Sequence, residues 1–337
     1  MKQLDMHIID IVDKSMEGAG LAPTETEALY AVPAASAEGA YIRWAGQELS
    51  LASTGGKAEI HAQIGLNATP CPKNCLFCSF AACNKLRRGR YELPLEDVIE
   101  YAKLFEEGGA NLILLMCTAS YSYEKLLEAA HAVREVVSPD FPVLTNSFDL
   151  TYEQAVELKE AGINGAYHAV RMREGIDTDI PVATRLDTLA NLKRAGLKLS
   201  ACVEPIGPEN TPAELAEATH RCIDSGALTA GCGRRINIEG TDIASRGMLN
   251  SLEIATMVAV YRLAAGSGLR LNCSASSRLV CASGGNLAWA ESGTNPRDAY
   301  AQRTENGGRG DSVQQCRTMF MDSGWEVLVG PSPGWFD

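Results

Sequence analysis

Three cysteines stand close together in the first third of the chain, at Cys71, Cys75 and Cys78, in the spacing C-x₃-C-x₂-C. The loop that carries them is short enough to direct all three thiolates at one centre. Three soft thiolate ligands suit a [4Fe–4S] cluster in which one iron remains open to another ligand. A zinc knuckle is the alternative, because Cys83 follows five residues after Cys78 and could supply a fourth ligand.

The remaining cysteines are unusually many, since the chain has 11 in 337 residues. In a reducing cytosol such thiols are more often metal ligands than disulfide partners. Cys117, Cys202 and Cys273 each stand at the end of a predicted strand, so all three can face one cavity. Each of them could instead be a small buried residue. Cys222 falls on a predicted helix and Cys316 near the terminal helix, and we expect a structural role for both.

The elements that must position these cysteines are strands alternating with helices. Apolar segments predict strands over 60–65, 111–116, 141–145, 165–170, 198–203, 235–238 and 269–273. Helical periodicity predicts helices over 95–107, 122–136, 151–161, 182–195, 212–225 and 251–265. Seven such units, followed by an unclear tail, predict an α/β protein with a complete or nearly complete (βα)₈ TIM-type barrel.

The domain boundary is expected near residue 55. Residues 1–55 precede the first strand and are predicted to form a helical or irregular N-terminal extension. Residues 56–337 are predicted to form the barrel with a C-terminal tail, and the glycine-rich stretch 305–311 is predicted to be a loop.

Composition and charge exclude several classes of function. The formal net charge is −12, whereas a nucleic-acid binder needs a basic surface to neutralise phosphates. No apolar run approaches the length that spans a bilayer, and the N-terminus has no secretory signal pattern. We therefore expect a cytoplasmic protein with neither a nucleic-acid nor a membrane partner.

The segment from Cys71 to Cys78 resembles the radical S-adenosylmethionine (SAM) signature, with Phe77 as the aromatic residue before the third cysteine. Over roughly residues 55–300 the chain is similar to the biotin synthase group, which also contains hydrogenase cofactor maturases, methylornithine synthase and two-protein lipoyl synthases of anaerobes. The supporting segments are 185–189, 194–199, 237–241 and 269–271. The resemblance implies a [4Fe–4S] cluster whose open iron binds SAM. One electron then cleaves SAM to a 5′-deoxyadenosyl radical, which abstracts hydrogen from a substrate.

The resemblance also implies which residues contact SAM. Phe77 would lie near the adenine, and so would the backbone at Ile206, in a segment similar to the family's G-x-I-x-G-x-x-E pattern. After the second strand the usual glycine–glutamate pair is absent, and Thr118 or Ser120 would contact the SAM amino group instead. The segment after the fourth strand departs from biotin synthase and is more like the hydrogenase maturases. There Arg171 or Arg173 would bind the SAM carboxylate and Glu174 the ribose.

Biotin synthases hold a second cluster on strands two, three, five and seven, and insert its sulfur into the substrate. Cys117, Cys202 and Cys273 fall on strands two, five and seven, whereas the third strand offers no cysteine. The resemblance thus leaves room for an auxiliary iron–sulfur cluster with different ligation. The function it favours is sulfur insertion at an unactivated C–H carbon, as in biotin synthase or lipoyl synthase. The substrate would be a small molecule or a carrier-bound acyl group.

Two alternatives to sulfur insertion stay open. One is a single-cluster radical SAM maturase or an amino-acid lyase or mutase, and the other is a non-catalytic iron–sulfur or zinc protein. For the enzyme we expect anaerobic operation and an electron donor such as a reductase with flavodoxin or ferredoxin. A homodimer is left open.

Overall fold

Eight parallel strands form a closed barrel in the computed structural model, which describes residues 4–87, 89–297 and 311–336. The strands are β1 Lys57–Gly65, β2 Leu112–Met116, β3 Val143–Asn146, β4 Gly165–Tyr167, β5 Lys198–Ser200, β6 Thr229–Arg234, β7 Leu271–Cys273 and β8 Leu287–Gly293. Each pairs with the next, and β8 pairs with β1, which closes the ring. The predicted (βα)₈ architecture is therefore confirmed in its complete form.

Helices surround this barrel and also precede it. They are α1 Met6–Met16, α2 Pro23–Tyr30, α3 Ala37–Thr54, α4 Leu95–Glu107, α5 Tyr123–Val136, α6 Tyr152–Glu160, α7 Val182–Arg194, α8 Pro212–Asp224, α9 Ser251–Ala265, α10 Arg278–Cys281 and α11 Val313–Met321. The first three make up most of the segment before the barrel. They pack on its outer helices, where Ile42 and Leu49 share an apolar cluster with Val258.

Helix ends agree closely with the sequence pattern because local capping chemistry sets them. At the start of α6, the hydroxyl of Thr151 accepts a hydrogen bond from the backbone N–H of Gln154. The side-chain oxygen of Gln154 in turn accepts one from the backbone N–H of Thr151. Asn250 and Glu253 form the same reciprocal pair at the start of α9. Such caps satisfy amide groups that a helix leaves without partners at its first turn.

Strand predictions were less accurate in the second half of the barrel. The strand predicted over 235–238 is wrong: β6 ends at Arg234, and its two glycines had hidden it. The strand predicted over 198–203 divides into β5 and a separate strand, Val203–Ile206, that pairs with β6. The eighth strand, β8, was missed because it alternates small, aromatic and charged residues.

The barrel interior is closed at the amino ends of its strands. Trp335, only 2% exposed, lies there against Gly165 at the start of β4. The tail around it is held by Ser332, whose N–H donates to the carbonyl of Asn111 and whose hydroxyl accepts from Arg270. The open end is therefore the carboxyl end of the strands, where barrel enzymes carry their chemistry.

No helix in residues 4–87, 89–297 and 311–336 is long and apolar enough to cross a membrane. The glycine-rich stretch predicted to be a loop lies, except for Asp311, outside the described residues.

Candidate active site at the carboxyl ends of the strands

The carboxyl ends of the strands enclose a cavity of about 280 Å³. Its walls contain every cysteine that the sequence marked as a ligand: Cys71, Cys75, Cys78, Cys117, Cys202 and Cys273. Its polar lining includes Tyr167, Arg171, Glu204, Glu291 and Arg297. The cavity thus brings thiols from four segments of the chain beside charged groups.

The cysteine loop follows β1 and is held by its own backbone. The N–H of Cys71 donates to the carbonyl of Phe80 at 2.6 Å, and the N–H of Ala82 donates back to the carbonyl of Cys71 at 3.0 Å. The side-chain amide of Asn84 donates to the carbonyl of Cys78 at 2.9 Å. These bonds hold the three cysteines on one compact turn over the cavity.

Burial dominates the electrostatics of these thiols. Burial raises the pKa of Cys75 well above its usual value and that of Cys78 to about 11. Three groups oppose the rise in the pKa of Cys78: the N–H of Phe80, 3.4 Å from its Sγ, the positive charge of Arg171 and the N–H of Ala81. Bound iron would favour the thiolates by its own positive charge.

The donor set fits a cluster better than a single ion. In the described part of the chain, no three His, Cys, Asp or Glu side chains converge closely enough to hold one metal ion. The ligands of a cluster bind different irons and need not converge on one point. Cys71, Cys75 and Cys78, all free thiols on the cavity wall, therefore fit a three-cysteine cluster site.

The strand cysteines divide into a pair and a separate thiol. Cys202 and Cys273 are neighbours, and the interaction between their thiols, together with burial, raises the pKa of Cys202. Cys117 stands nearer the cysteine loop: burial raises its pKa, and the charge of Cys71 adds to the effect. The structure therefore brings two of the three predicted auxiliary ligands together and places the third beside the first cluster site.

Glycines on β6 make room for the Cys202–Cys273 pair. A Cβ on Gly231 would lie 1.7 Å from the carbonyl oxygen of Cys273, so β7 can approach β6 only where no side chain is present. A Cβ on Gly233 would lie 3.6 Å from the sulfur of Cys202.

Arg171 belongs to a charged cluster on the cavity wall. Its Nη1 and the hydroxyl of Tyr167 both donate to the same carboxylate oxygen of Glu204. Burial alone would lower the pKa of Arg171, but the charge of Glu204 raises it above its usual value. The guanidinium is therefore held in place as a permanent cation facing the cavity.

Of the other residues predicted to contact SAM, some line the cavity and others do not. Phe77 and Thr118 line the cavity, whereas Ser120, Arg173, Glu174 and Ile206 are not among its lining residues. The hydroxyl of Ser120 donates to the carbonyl of Pro70 at 3.3 Å. Ile206 is fully buried in the core, and its carbonyl accepts the N–H of Arg235.

Arg173 and Glu174 hold the loop after β4 rather than face the cavity. Arg173 pairs with Asp177 at 3.0 Å. Glu174 is buried and accepts the backbone N–H of Arg171 at 2.9 Å and the Nε of Arg185 at 3.2 Å. In this arrangement Glu174 positions Arg171.

His168 and Asp149 form a second polar group on the wall. His168 is 4% exposed, and its Nε2 lies 3.5 Å from a carboxylate oxygen of Asp149, which also accepts Arg185 Nη1 at 3.0 Å. Burial lowers the pKa of His168 below its usual value, so the imidazole is neutral at pH 7.

Sequence reasoning missed the polar wall on β8. Glu291 accepts Gln63 Nε2 at 3.2 Å and Asn295 Nδ2 at 2.8 Å, and it pairs with Arg297. The side-chain Nδ2 of Asn146 donates to Gln63 Oε1 at 3.3 Å. The sequence feature that could have revealed this wall is the spacing of Trp289 and Glu291. They are two residues apart and therefore lie on one face of β8, which had not been predicted.

Comparison with known proteins gives matches in both sequence and structure. The model of the Radical SAM superfamily matches residues 69–222, which include the cysteine loop and the end of β4. Biotin synthase from Neisseria meningitidis serogroup B is 25% identical over 226 residues, covering 61% of this chain and 64% of that protein. Biotin synthase from Legionella pneumophila strain Corby is 26% identical over 211 residues, covering 59% and 66%. The matched region thus spans just under two thirds of these relatives.

Solved structures share the fold over nearly the whole chain. Methylornithine synthase superposes with a TM-score of 0.75 at 17% identity, covering 94% of this chain and 97% of its own. The [FeFe]-hydrogenase maturase HydG from Carboxydothermus hydrogenoformans gives 0.76 at 19% identity, covering 96% and 80%.

Proposed function

We propose that this chain is a radical SAM enzyme that inserts sulfur at an unactivated C–H carbon, on the basis of the Radical SAM match over residues 69–222 and its similarity to biotin synthases. The substrate is a small molecule or a carrier-bound acyl group. When bound, the first cluster and SAM supply a 5′-deoxyadenosyl radical that removes hydrogen, and an auxiliary cluster supplies the sulfur. The observation that carries the proposal is the neighbouring thiol pair of Cys202 and Cys273, inside the same cavity as the cysteine loop.

Each group of residues has a distinct part in this proposal. Cys71, Cys75 and Cys78 would hold the radical-generating cluster, and Cys202 and Cys273 would hold the auxiliary one. Arg171, which lies on the cavity wall and bonds to Glu204 and Tyr167 through Nη1, would bind the SAM carboxylate. Leu114, Met116 and Trp289 supply apolar surface to the cavity wall.

The experiment compares a double variant, Cys202→Ser/Cys273→Ser, with wild-type protein. Iron, 5′-deoxyadenosine and sulfurated product are measured in the same samples, with dethiobiotin and an octanoylated carrier protein as test substrates. We expect about eight irons in the wild type, as two four-iron clusters require. The double variant should lose the irons of the auxiliary cluster and all sulfurated product, but should still cleave SAM. Cys316→Ser is the matched control, because Cys316 is equally buried but lies outside the cavity.

Undiminished iron in the double variant, or a wild type that holds only about four irons, would overturn sulfur insertion by this route. Such a result would support a single-cluster radical enzyme acting on an amino acid. One observation already favours that second candidate: Cys117 stands apart, which leaves two neighbouring thiols where a cluster commonly has four ligands. Zinc in place of iron would overturn both.

A further inference from the structure

The segment between β4 and α7 is hydrogen-bonded directly to the cysteine loop. The N–H of Leu76 donates to the carbonyl of Asp177 at 2.9 Å, and the N–H of Asp179 donates to the carbonyl of Lys73 at 2.8 Å. The side-chain amide of Asn74 donates to the carboxylate of Asp179 at 2.7 Å. Three bonds therefore join this segment to the residues that lie between the first and third cysteines.

Asn74 is bonded at both ends of its side chain. Its Oδ1 accepts the N–H of Cys83 at 3.0 Å, while its Nδ2 donates to Asp179. Its backbone φ is +47°, in the left-handed region that asparagine adopts more readily than most residues. Because Asn74 immediately precedes Cys75, these bonds fix the direction in which the chain enters that cysteine.

The same segment reaches Arg171 through a second set of bonds. The hydroxyl of Thr178 donates to one carboxylate oxygen of Glu174 at 2.5 Å, and the other oxygen accepts the backbone N–H of Arg171 at 2.9 Å. Asp177 is buried and pairs with Arg246 at 2.9 Å, which anchors the segment from its far side. A short path of hydrogen bonds therefore runs from the cysteine loop to the arginine proposed to bind the SAM carboxylate.

The backbone is constrained on both sides of this contact. In the described part of the chain, three residues other than glycine have a left-handed φ, namely Asn74, Lys85 and Arg173, the last at +57°. Such a conformation persists only where the surrounding structure fixes it. Asn74 lies in the cysteine loop and Arg173 in the segment after β4, so each partner in the contact is held in a defined shape.

We propose that Asn74 and Asp179 are positioning residues for the first cluster. Their bond holds the cysteine loop against the segment after β4, and so sets the distance between the open iron and the SAM carboxylate at Arg171. The inference rests on the proposed function, in the step where the cluster and SAM generate the radical. Because a misplacement of about 1 Å can lower a rate about a hundredfold, one bond at this junction affects the reaction.

The test exchanges the two partners in the iron-loaded protein. In Asn74→Asp, two carboxylates face each other where an amide met a carboxylate, and their repulsion should separate the two loops. In the double variant Asn74→Asp/Asp179→Asn, an amide again faces a carboxylate, with donor and acceptor exchanged. Both variants keep a side-chain oxygen at residue 74 for the N–H of Cys83. The exchange therefore tests the bond at constant side-chain size.

SAM affinity by calorimetry and the EPR spectrum of the dithionite-reduced cluster, with and without SAM, are the two readouts. We expect Asn74→Asp to bind SAM about tenfold more weakly, and the double variant to return to within about threefold of wild type. The change that SAM causes in the EPR spectrum should diminish in the first variant and return in the second. Iron content and the urea midpoint should stay unchanged, because the bond lies at the surface and no cysteine is altered.

Asp322→Asn is the matched control. Asp322 is also exposed and accepts a side-chain N–H at 2.7 Å, from Arg278, but it does not line the cavity. Its SAM affinity should equal that of wild type. If Asn74→Asp loses iron, Asp179→Ala replaces it, because it leaves the cysteine loop unchanged. We expect that variant to bind SAM about threefold more weakly.

Wild-type SAM affinity in Asn74→Asp, or in Asp179→Ala where that variant replaces it, would overturn the positioning role. So would a double variant that keeps its iron and its urea midpoint but does not recover SAM binding. A lower urea midpoint with unchanged SAM affinity would show that the bond only stabilises the fold. A wild type that holds iron but forms no 5′-deoxyadenosine with dithionite would instead overturn the proposed function, so the two failures are distinguishable.

Discussion

Single side chains decide whether a thiol in this cavity can bind iron. Cys71, Cys75 and Cys78 line the cavity as free thiols, and Cys83, although in the same segment, does not line it. The Sγ of Cys83 lies instead 4.0 Å from the carbonyl oxygen of Asn74. That difference separates a three-cysteine cluster site from a four-cysteine zinc site.

Replacing Cys71, Cys75 or Cys78 with Ala should abolish 5′-deoxyadenosine formation, because a cluster that loses one of three thiolates no longer presents its open iron. Cys83→Ala should retain both iron and SAM cleavage. Retained cleavage in all three loop variants, or complete loss in Cys83→Ala, would contradict the assignment.

The two arginines after β4, Arg171 and Arg173, are expected to differ in what each contributes to SAM binding. Arg171→Ala should weaken SAM binding by about 1.5–3 kcal/mol, the value of a charge-assisted bond. Arg173→Ala should change it by about 0.5 kcal/mol or less, because Arg173 pairs with Asp177 off the cavity. Equal losses measured by calorimetry would show that the loop after β4 acts as a unit.

At the scale of elements, the approach of β7 to β6 sets the position of the thiol pair. Cys273 lies at the end of β7, opposite Gly231 of β6 in the strand register. A side chain at Gly231 would have to displace the backbone of β7. The spacing of these two strands is therefore part of the site.

Gly231→Ala should destabilise the protein by about 1–3 kcal/mol or more, the usual cost of overpacking. It should also lower the iron bound in the Cys202–Cys273 region. Gly268→Ala is the control, because nothing lies within 4 Å of a Cβ added there. Urea unfolding and iron analysis check both effects. Unchanged stability and iron content in Gly231→Ala would show that β7 can shift to accommodate the added methyl group.

At the scale of the whole molecule, the barrel has a reactive end and a closed end. The closed end contains a buried ionic group in which Glu59, 1% exposed, accepts from His61 and Arg270. Arg270 also binds the tail that carries Trp335. The group therefore ties the first and seventh strands to the C-terminal tail.

Because of this ionic group, we expect the free energy of unfolding to fall at acid pH. Burial alone would raise the pKa of Glu59, but His61 and Arg270 hold it at about 2, against an ordinary value of 4.5. A folded-state pKa below the unfolded one stabilises the fold above pH 4.5, and this stabilisation is lost as the pH falls toward 2. Between pH 4.5 and 3, wild type should lose about 1–2 kcal/mol more than Glu59→Gln in urea unfolding. Parallel losses would show that Glu59 does not carry this component.

The sequence by itself determined most of the elements and predicted the first cluster site. Capping pairs such as Thr151 with Gln154 act within one turn of helix, so they can be recognised from neighbouring residues. The three loop cysteines lie within eight residues of one another, and their spacing alone brings them to one turn. Strand β6 was misplaced and β8 missed because their glycines and charged residues do not form a strand pattern. Contacts with the neighbouring strands, which the sequence does not show, allow these residues to lie in the barrel.

Only the tertiary structure decided which distant residues share the cavity. It paired Cys202 with Cys273, set Cys117 apart, and placed Arg171 but not Arg173 on the cavity wall. It also revealed Glu291, on a strand that the pattern had not shown, and its partner Arg297, which follows that strand. The physical reason is that closing the barrel fixes the register and stagger of every strand at once, and this determines which side chains at the strand ends point to the same space.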